Sequence, residues 1–277
     1  MTLHAASRES LALAENTLGE VLSGDSGSAT ADPATVGVEL LSVVDLLSRE
    51  TGLRRAVSDG SADPAARTRL TRSLLEGKIS EPALKVLDSA VGARWSSPRE
   101  LLDGIESLGR SALLTSAEKT GNLDTVEGQL FRVARIVASE PELERALSDQ
   151  AAPIDAKRNL VRGLFAGSLD VVSETLVEQA ILRKRGHGVG ASLDELVKLT
   201  AERRKRTVAY VTSASSLSKE QQGQLATKLR RIYGREIALH VEIDESIGGG
   251  LVVRVGEEII DGSTAGRIAE LRRRLAG

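Results

Sequence analysis

Carboxylates crowd one short stretch of the chain, and paired carboxylates are the groups that hold divalent metals or exchange protons as acid and base. Asp244, Glu245, Glu257, Glu258 and Asp261 fall together there, interrupted by Gly248-Gly249-Gly250. Acid-base work needs a cleft and shifted pKa values, and a small hairpin offers little cleft, so these acids read as solvated turn residues. The triple glycine could cradle a phosphate, but such loops run from a strand into a helix and are followed by Lys-Ser/Thr. Here the glycines lead into Leu251-Val252-Val253-Arg254-Val255, a β-branched run that reads as a strand. His4, His187 and His240 have no companion at metal-ligand spacing. Ser218 and Ser263 sit in no nucleophile-elbow pattern, and each stands where a helix cap is expected. The remaining chemistry is cationic. Arg203, Arg204, Lys205 and Arg206 close a locally basic stretch suited either to an acidic partner or to a solvated helix end.

The glycines and acids have an architectural reading instead. Gly256-Glu257 suits a two-residue hairpin turn between Leu251–Val255 and Glu258–Ile260. Asp261-Gly262-Ser263 closes the hairpin, and Ser263 is placed to cap a helix over Ala265 to Leu275. Upstream, Thr207 to Thr212 alternates at strand period. Ser218-Lys219-Glu220-Gln221 is a capping box for a helix to Tyr233, which Gly234 stops, and Glu236 to Ile243 is the next strand. The tail, residues 206–277, is thus expected to be a small β-α-β-β-α module.

The chain before it repeats itself. Glu50 to Gly77 aligns without a gap on Glu140 to Gly167, and identical pairs include Leu53/Leu143, Arg55/Arg145, Ser58/Ser148, Asp59/Asp149, Arg72/Arg162 and Gly77/Gly167. Shared helical periodicity alone would rarely reproduce the Ser-Asp pair and the glycine. Helices are expected at Val36 to Arg49 and Val126 to Ser139, from Pro64 and Pro153 onward, at Glu81 to Ala93 and Val171 to Lys184, from Arg99, and from a Ser192 cap to Lys205. Arg8 to Glu15 also resembles Arg110 to Glu118, so a first helix recurs as well. Residues 23–35, rich in Gly, Ser, Ala and Asp, read as a mobile loop. The expected fold is mainly α with a small α+β C-terminal module: an extra N-terminal bundle at 1–106, a second bundle at 107–205, then the tail.

At 277 residues the chain is long enough for such a division. Its net charge of −2 gives no overall pull toward nucleic acid, and 2% aromatic content leaves few platforms for stacking bases. Cysteine is absent, which removes disulfides, thiolate nucleophiles and cysteine-bound zinc. No apolar run approaches the ~18 residues of a membrane span, and the first helix alternates apolar with charged residues, so it reads as neither signal nor anchor.

Ile237 to Gly256, Ile-Ala-Leu-His-Val-Glu-Ile-Asp-Glu-Ser-Ile-Gly-Gly-Gly-Leu-Val-Val-Arg-Val-Gly, resembles the signature of the delta subunit of F-type ATP synthases, the family of the mitochondrial oligomycin-sensitivity-conferring protein. Glu258 to Ser263 resembles its usual continuation. Asp244, Gly249, Gly250, Gly256, Asp261, Gly262 and Ser263 are the residues of that signature. Residues 107–277 match the ordinary family length, and the elongated, duplicated form resembles actinobacterial delta subunits. The resemblance implies a non-catalytic stator role with no cofactor. A helical bundle would receive N-terminal segments of alpha subunits on the alpha/beta head of a proton-translocating synthase, and the tail would hold b-type stalk subunits. The protein would then lie at the cytoplasmic face of the plasma membrane, associated with it only through the complex. Arg110, Leu113, Leu114, Ala117, Arg203, Arg204 and Arg206 are the candidate partner contacts. The competing reading is a nucleic-acid-binding adaptor using the 203–206 patch.

Overall fold

The computed structural model describes residues 3–24, 31–149, 151–165, 167–183, 188–234, 237–256, 258–264 and 266. Among the described residues eleven helices precede the first strand: α1 (Ala5–Ser23), α2 (Pro33–Arg49), α3 (Thr51–Ser58), α4 (Pro64–Leu75), α5 (Glu81–Gly92), α6 (Pro98–Lys119), α7 (Leu123–Ser139), α8 (Pro141–Ser148), α9 (Ile154–Phe165), α10 (Val171–Leu182) and α11 (Val189–Thr207). β1 (Val208–Ser213), α12 (Lys219–Tyr233), β2 (Ala238–Ile243), β3 (Leu251–Val255) and β4 (Glu258–Asp261) follow. The architecture is mainly α with a small α+β end, as the periodicities require.

Two apolar cores explain the helical part, and α6 belongs to both. Leu101, Leu102, Ile105, Leu108 and Ala112 of α6 face a core built with α1 to α5. Leu113, Leu114 and Ala117 of the same helix face a second core built with α7 to α11. The internal repeat accounts for this sharing. A shift of 90 residues lays α6 on α11, making it the last helix of the first unit. Its second half matches α1, making it also the first helix of the second unit. The boundary expected between residues 106 and 107 therefore falls inside one unbroken helix. Apolar residues on two faces of one helix are what a shared wall demands.

The two units close tightly where α2 crosses α6. A Cβ on Gly37 would come within 2.9 Å of the Gly109 carbonyl oxygen, and one on Gly109 within 2.9 Å of Leu41 Cγ. Glycine at both positions lets the backbones meet, and Leu41 of α2 then enters the second core. Repeat-equivalent ion pairs brace each unit: Arg72 Nε to Asp88 at 2.5 Å in the first, Arg162 Nε to Glu178 at 2.7 Å in the second.

Local details depart from the sequence reading at two places. The loop expected at 23–35 ends earlier, because Pro33 opens α2 and the Asp32 carboxylate accepts from the Thr35 amide at 3.0 Å. Residues 25–30 lie outside the described residues. Ser192 is no cap, since α11 already begins at Val189 and Ser192 is buried within it. The cap comes from a distant element: the Ser148 hydroxyl at the end of α8 accepts from the Val189 amide at 3.1 Å.

In the tail the strand order is β2-β1-β3-β4, with β1 and β2 parallel and the other pairs antiparallel. The parallel pair requires a crossover, which α12 supplies. Ala209, Val211, Val253 and Val255 point to one face and pack with Leu229 of α12. The other face exposes Tyr210, edge-on to the His240 ring, with the Arg254 guanidinium 5.2 Å from the Tyr210 ring centre. Of the final helix expected at Ala265 to Leu275, only Gly266 lies within the described residues.

Candidate partner-binding surfaces

The glycine-acid run builds a hairpin clasp. The Asp244 carboxylate accepts from the Ser246 amide at 2.9 Å and opens a short 3₁₀ turn over Glu245–Ile247. Gly248, Gly249 and Gly250 follow with φ of 69°, 134° and 79°, values that L side chains rarely adopt. At Gly250 space decides as well as φ, because a Cβ would lie 2.3 Å from the Gly262 carbonyl oxygen. Asp261 Oδ1 accepts from both the amide and the hydroxyl of Ser263, at 2.9 and 2.6 Å. The Ser263 hydroxyl in turn accepts from the Gly266 amide at 2.9 Å, so Ser263 does cap a helical start. Gly256, with φ of 62°, turns β3 into β4. Asp244 and Asp261 thus each have a structural task in their own turn, and Glu257 lies outside the described residues.

Electrostatics agree. Hydrogen bonds from Ser263 hold the Asp261 carboxyl below the ordinary carboxylate range, and those from Ser246 do the same for Asp244. A depressed folded-state pKa adds stability above the unfolded value, and that stability is lost as pH falls through the folded value. The clasp should therefore loosen under acid, below pH 3.8. Asp261→Asn should remove part of that acid dependence while leaving the helical bundles unchanged, as hydrogen exchange of the tail amides from pH 5 to pH 2 would show. An unaltered acid profile in the variant would refute the assignment.

Other chemistry-bearing residues are scattered. His4 Nδ1 lies 2.6 Å from Glu100 at the start of α6, and His240 lies on the open sheet face. His187 lies outside the described residues. Among the described residues no group of three or more His, Cys, Asp or Glu could hold a metal ion.

Four expected partner contacts need correction. Arg110, Leu113, Leu114 and Ala117 are at most 5% exposed. They are buried because the second half of α6 is the wall between the two units, a role no local pattern reveals. Arg203 is half-buried and clamps α11 to α6. Its guanidinium donates to Glu118 at 2.8 Å, to the Ser111 hydroxyl at 2.9 Å and to the Thr115 hydroxyl at 2.6 Å. Arg204 pairs with Glu127 of α7 at 2.9 Å. The Arg206 side chain lies outside the described residues. Much of the basic patch is therefore spent within the chain.

Two surfaces escaped the sequence reading. Leu70 and Leu74 on α4, and their repeat equivalents Leu160 and Leu164 on α9, all stay exposed. Leucine kept at solvent in both copies was visible in the alignment, but burial was not. The second surface is a cleft of about 620 Å³ where the ends of α2 and α10 meet the starts of α3, α6 and α9. Its lining holds five arginines drawn from three stretches of the chain, at 49–55, 99 and 183.

Comparison with known proteins decides the family. The profile of the ATP synthase delta (OSCP) subunit matches residues 111–275, more than half of the chain. The chain belongs to that family. An ATP synthase subunit delta of Corynebacterium urealyticum is 45% identical over 99% of this chain and 100% of its own length. One from Rhodococcus opacus is 44% identical over 99% of each, and one from Thermobifida fusca is 45% identical over 90% and 92%. A chain of the Toxoplasma gondii mitochondrial ATP synthase hexamer shares 19% identity over 61% of this chain at a TM-score of 0.33, too distant to bear on the fold. Membership of the delta family gives the chain a peripheral-stator role in an F-type ATP synthase rather than that of a nucleic-acid-binding adaptor. Among the described residues no helix is long and apolar enough to cross a membrane.

Proposed function

We propose that the chain is a non-catalytic clamp between the alpha/beta catalytic head and the b-type peripheral stalk. It resists rotor torque at the cytoplasmic face of the bacterial membrane, and it is held there only by the complex. The observation that carries this reading is the span of the family match. It begins inside α6 at residue 111 and takes in the second helical unit and the tail as far as residue 275. The second unit then receives alpha N-terminal segments, and the tail, residues 206–277, grips the stalk through its clasp and open sheet face. The duplicated first unit buttresses the second through the Gly37–Gly109 crossing. Several separate contacts suit a part under torque, because each tethered contact holds the others at high effective concentration.

Cutting the chain at 106/107 would sever the shared helix, so the test uses the full chain. Leu160→Glu with Leu164→Glu places charges on the exposed face of the second unit, and Leu70→Glu with Leu74→Glu does so on the first. Binding of an alpha N-terminal peptide by fluorescence anisotropy should fall at least about tenfold for the first pair only, the loss expected when apolar anchors are replaced by charge. Loss confined to the Leu70/Leu74 variant would transfer the alpha site to the first unit. Recovery of the protein from membranes without alpha, beta and b subunits would overturn the stator reading itself.

A further inference from the structure

The cleft between the two helical units is strongly cationic in a chain whose net charge is negative. Five arginines line it, at positions 49, 54, 55, 99 and 183, against the two aspartates Asp45 and Asp103. That is a local excess of three positive charges, where the whole chain carries −2. The aspartates are already engaged. Asp103 pairs with Arg183, and Asp45 accepts from Gln179 Nε2 while burial raises its carboxyl pKa. Arg54 is engaged too, donating to the carbonyls of Leu47 and Ser48 at the end of α2. Arg49, Arg55 and Arg99 remain: all three are exposed, and none has a carboxylate within ion-pair distance among the described residues.

Two further properties narrow the ligand. α3, α6 and α9 begin at the cleft while α2 and α10 end there, so positive and negative helix ends largely offset and the arginines set the sign of the field. The floor is apolar, made by Leu102, Leu182 and Ile154. About 620 Å³ is ample for a chain segment and far more than a single oxyanion fills. Among the described residues no aromatic side chain lines the cleft, so they offer nothing on which a base could stack. Apolar floor and cationic rim together match a short polypeptide segment that alternates aliphatic and acidic side chains.

We propose that this cleft is a docking site for an acidic, amphipathic segment of another subunit of the synthase, its carboxylates on Arg49, Arg55 and Arg99 and its aliphatic side chains on Leu102 and Leu182. The inference rests on the stator reading for the source of the segment. It adds a contact outside both the leucine faces and the tail. Because both units line the cleft, an occupant there locks one against the other. That gives the duplicated unit a mechanical purpose: it completes a socket the second unit cannot form alone.

The test uses the assembled complex. A photoreactive benzoylphenylalanine replaces Arg55 or Arg99 in separate variants, the complex is purified and irradiated, and cross-linked peptides are sequenced. The expected product joins either position to an Asp/Glu-rich segment of one synthase subunit. Arg49→Glu, Arg55→Glu and Arg99→Glu together should then weaken binding of a synthetic peptide of that segment at least about tenfold, and lysines in place of its acids should restore it. Normal circular dichroism of the variant shows that it folds. A cross-link to a neutral or basic segment, or none from an intact complex, overturns the proposal. So does tight binding of inorganic phosphate or short RNA to the isolated chain at this cleft. A complex purified without the chain would instead sink the stator reading, so the two failures are distinguishable.

Discussion

Glu106→Ala is expected to destabilise the protein by about 3–5 kcal/mol, because it leaves cations buried without their shared carboxylate. Glu106 is 1% exposed and Arg110 5%, and both sit in the middle of α6 where it passes from one core to the other. Arg110 pairs with Glu106 Oε1 at 2.5 Å and reaches toward Glu195 of α11 at 3.9 Å, while Arg183 at the end of α10 pairs with Glu106 and Asp103. The network thus joins α6, α10 and α11 in a region that water barely reaches. Small domains are stable by only about 5–15 kcal/mol, so the loss should move the urea midpoint far down and unfold a large fraction at physiological temperature. A well-packed apolar replacement, Glu106→Leu with Arg110→Met and Arg183→Met, should recover most of it, since burying charges is itself costly. If Glu106→Ala shifts stability by less than about 1 kcal/mol, the pairs are not desolvated and behave as surface ion pairs. The consequence for assembly is specific: the network supports the inner wall of the cationic cleft through Arg183 and Asp103, so Glu106→Ala should also weaken whatever docks there.

Much of the architecture was legible because it rests on local rules. The capping box at Ser218 and Gln221 forms as the sequence implies, with both reciprocal bonds present. Gly77 and Gly167, paired by the repeat, both adopt positive φ where their helices end. The hairpin register follows from Gly256 and the β-branched run before it. What was not legible depends on residues meeting from far apart. Arg110 looked like a surface arginine because its neighbours in sequence are polar on one side, yet α10 and α11 close over it. Ser192 carried a good local cap signal, but Ser148 supplied the cap from another helix. Arg203 read as one of a basic run, although three hydroxyl and carboxylate groups on α6 await it at helical spacing, at positions 111, 115 and 118. The cleft is the extreme case. Its arginines come from three separate stretches of the chain, at 49–55, 99 and 183, and Arg49, Arg55 and Arg99 are each alone an ordinary exposed side chain. Burial and charge accumulation are properties of the assembled units, so one-dimensional patterns report them only when a repeat or a motif happens to tie the segments together.

Trp95 gives a way to ask whether the shared helix makes the two units unfold as one. It is the only tryptophan in the chain and is 5% exposed, with its indole N–H donating to the Ala90 carbonyl at 2.7 Å. The outer carbons of its ring pack against α6, so that a Cβ on Gly104 would come within 2.2 Å of Cη2. The flanking backbone is laced to α1: the Ser96 amide donates to the Ser7 hydroxyl, and the Ser10 hydroxyl donates to the Arg94 carbonyl. Trp95→Ala should therefore cost about 3–5 kcal/mol, the range for emptying a large aromatic site in a packed core. Gly104→Ala should cost about 1–3 kcal/mol by overpacking and should red-shift the fluorescence as the ring is pushed toward water. Fluorescence in that variant reports the first unit alone, whereas far-UV circular dichroism sums helices from both. Because α6 walls both cores, the two signals should fall in one coincident transition, shifted together from the parent protein. A fluorescence transition well ahead of the circular dichroism would mean that α6 can lose its first core while keeping its second. The duplicated unit would then be an appendage rather than a buttress, and a cleft lined by both units could not act as a rigid socket.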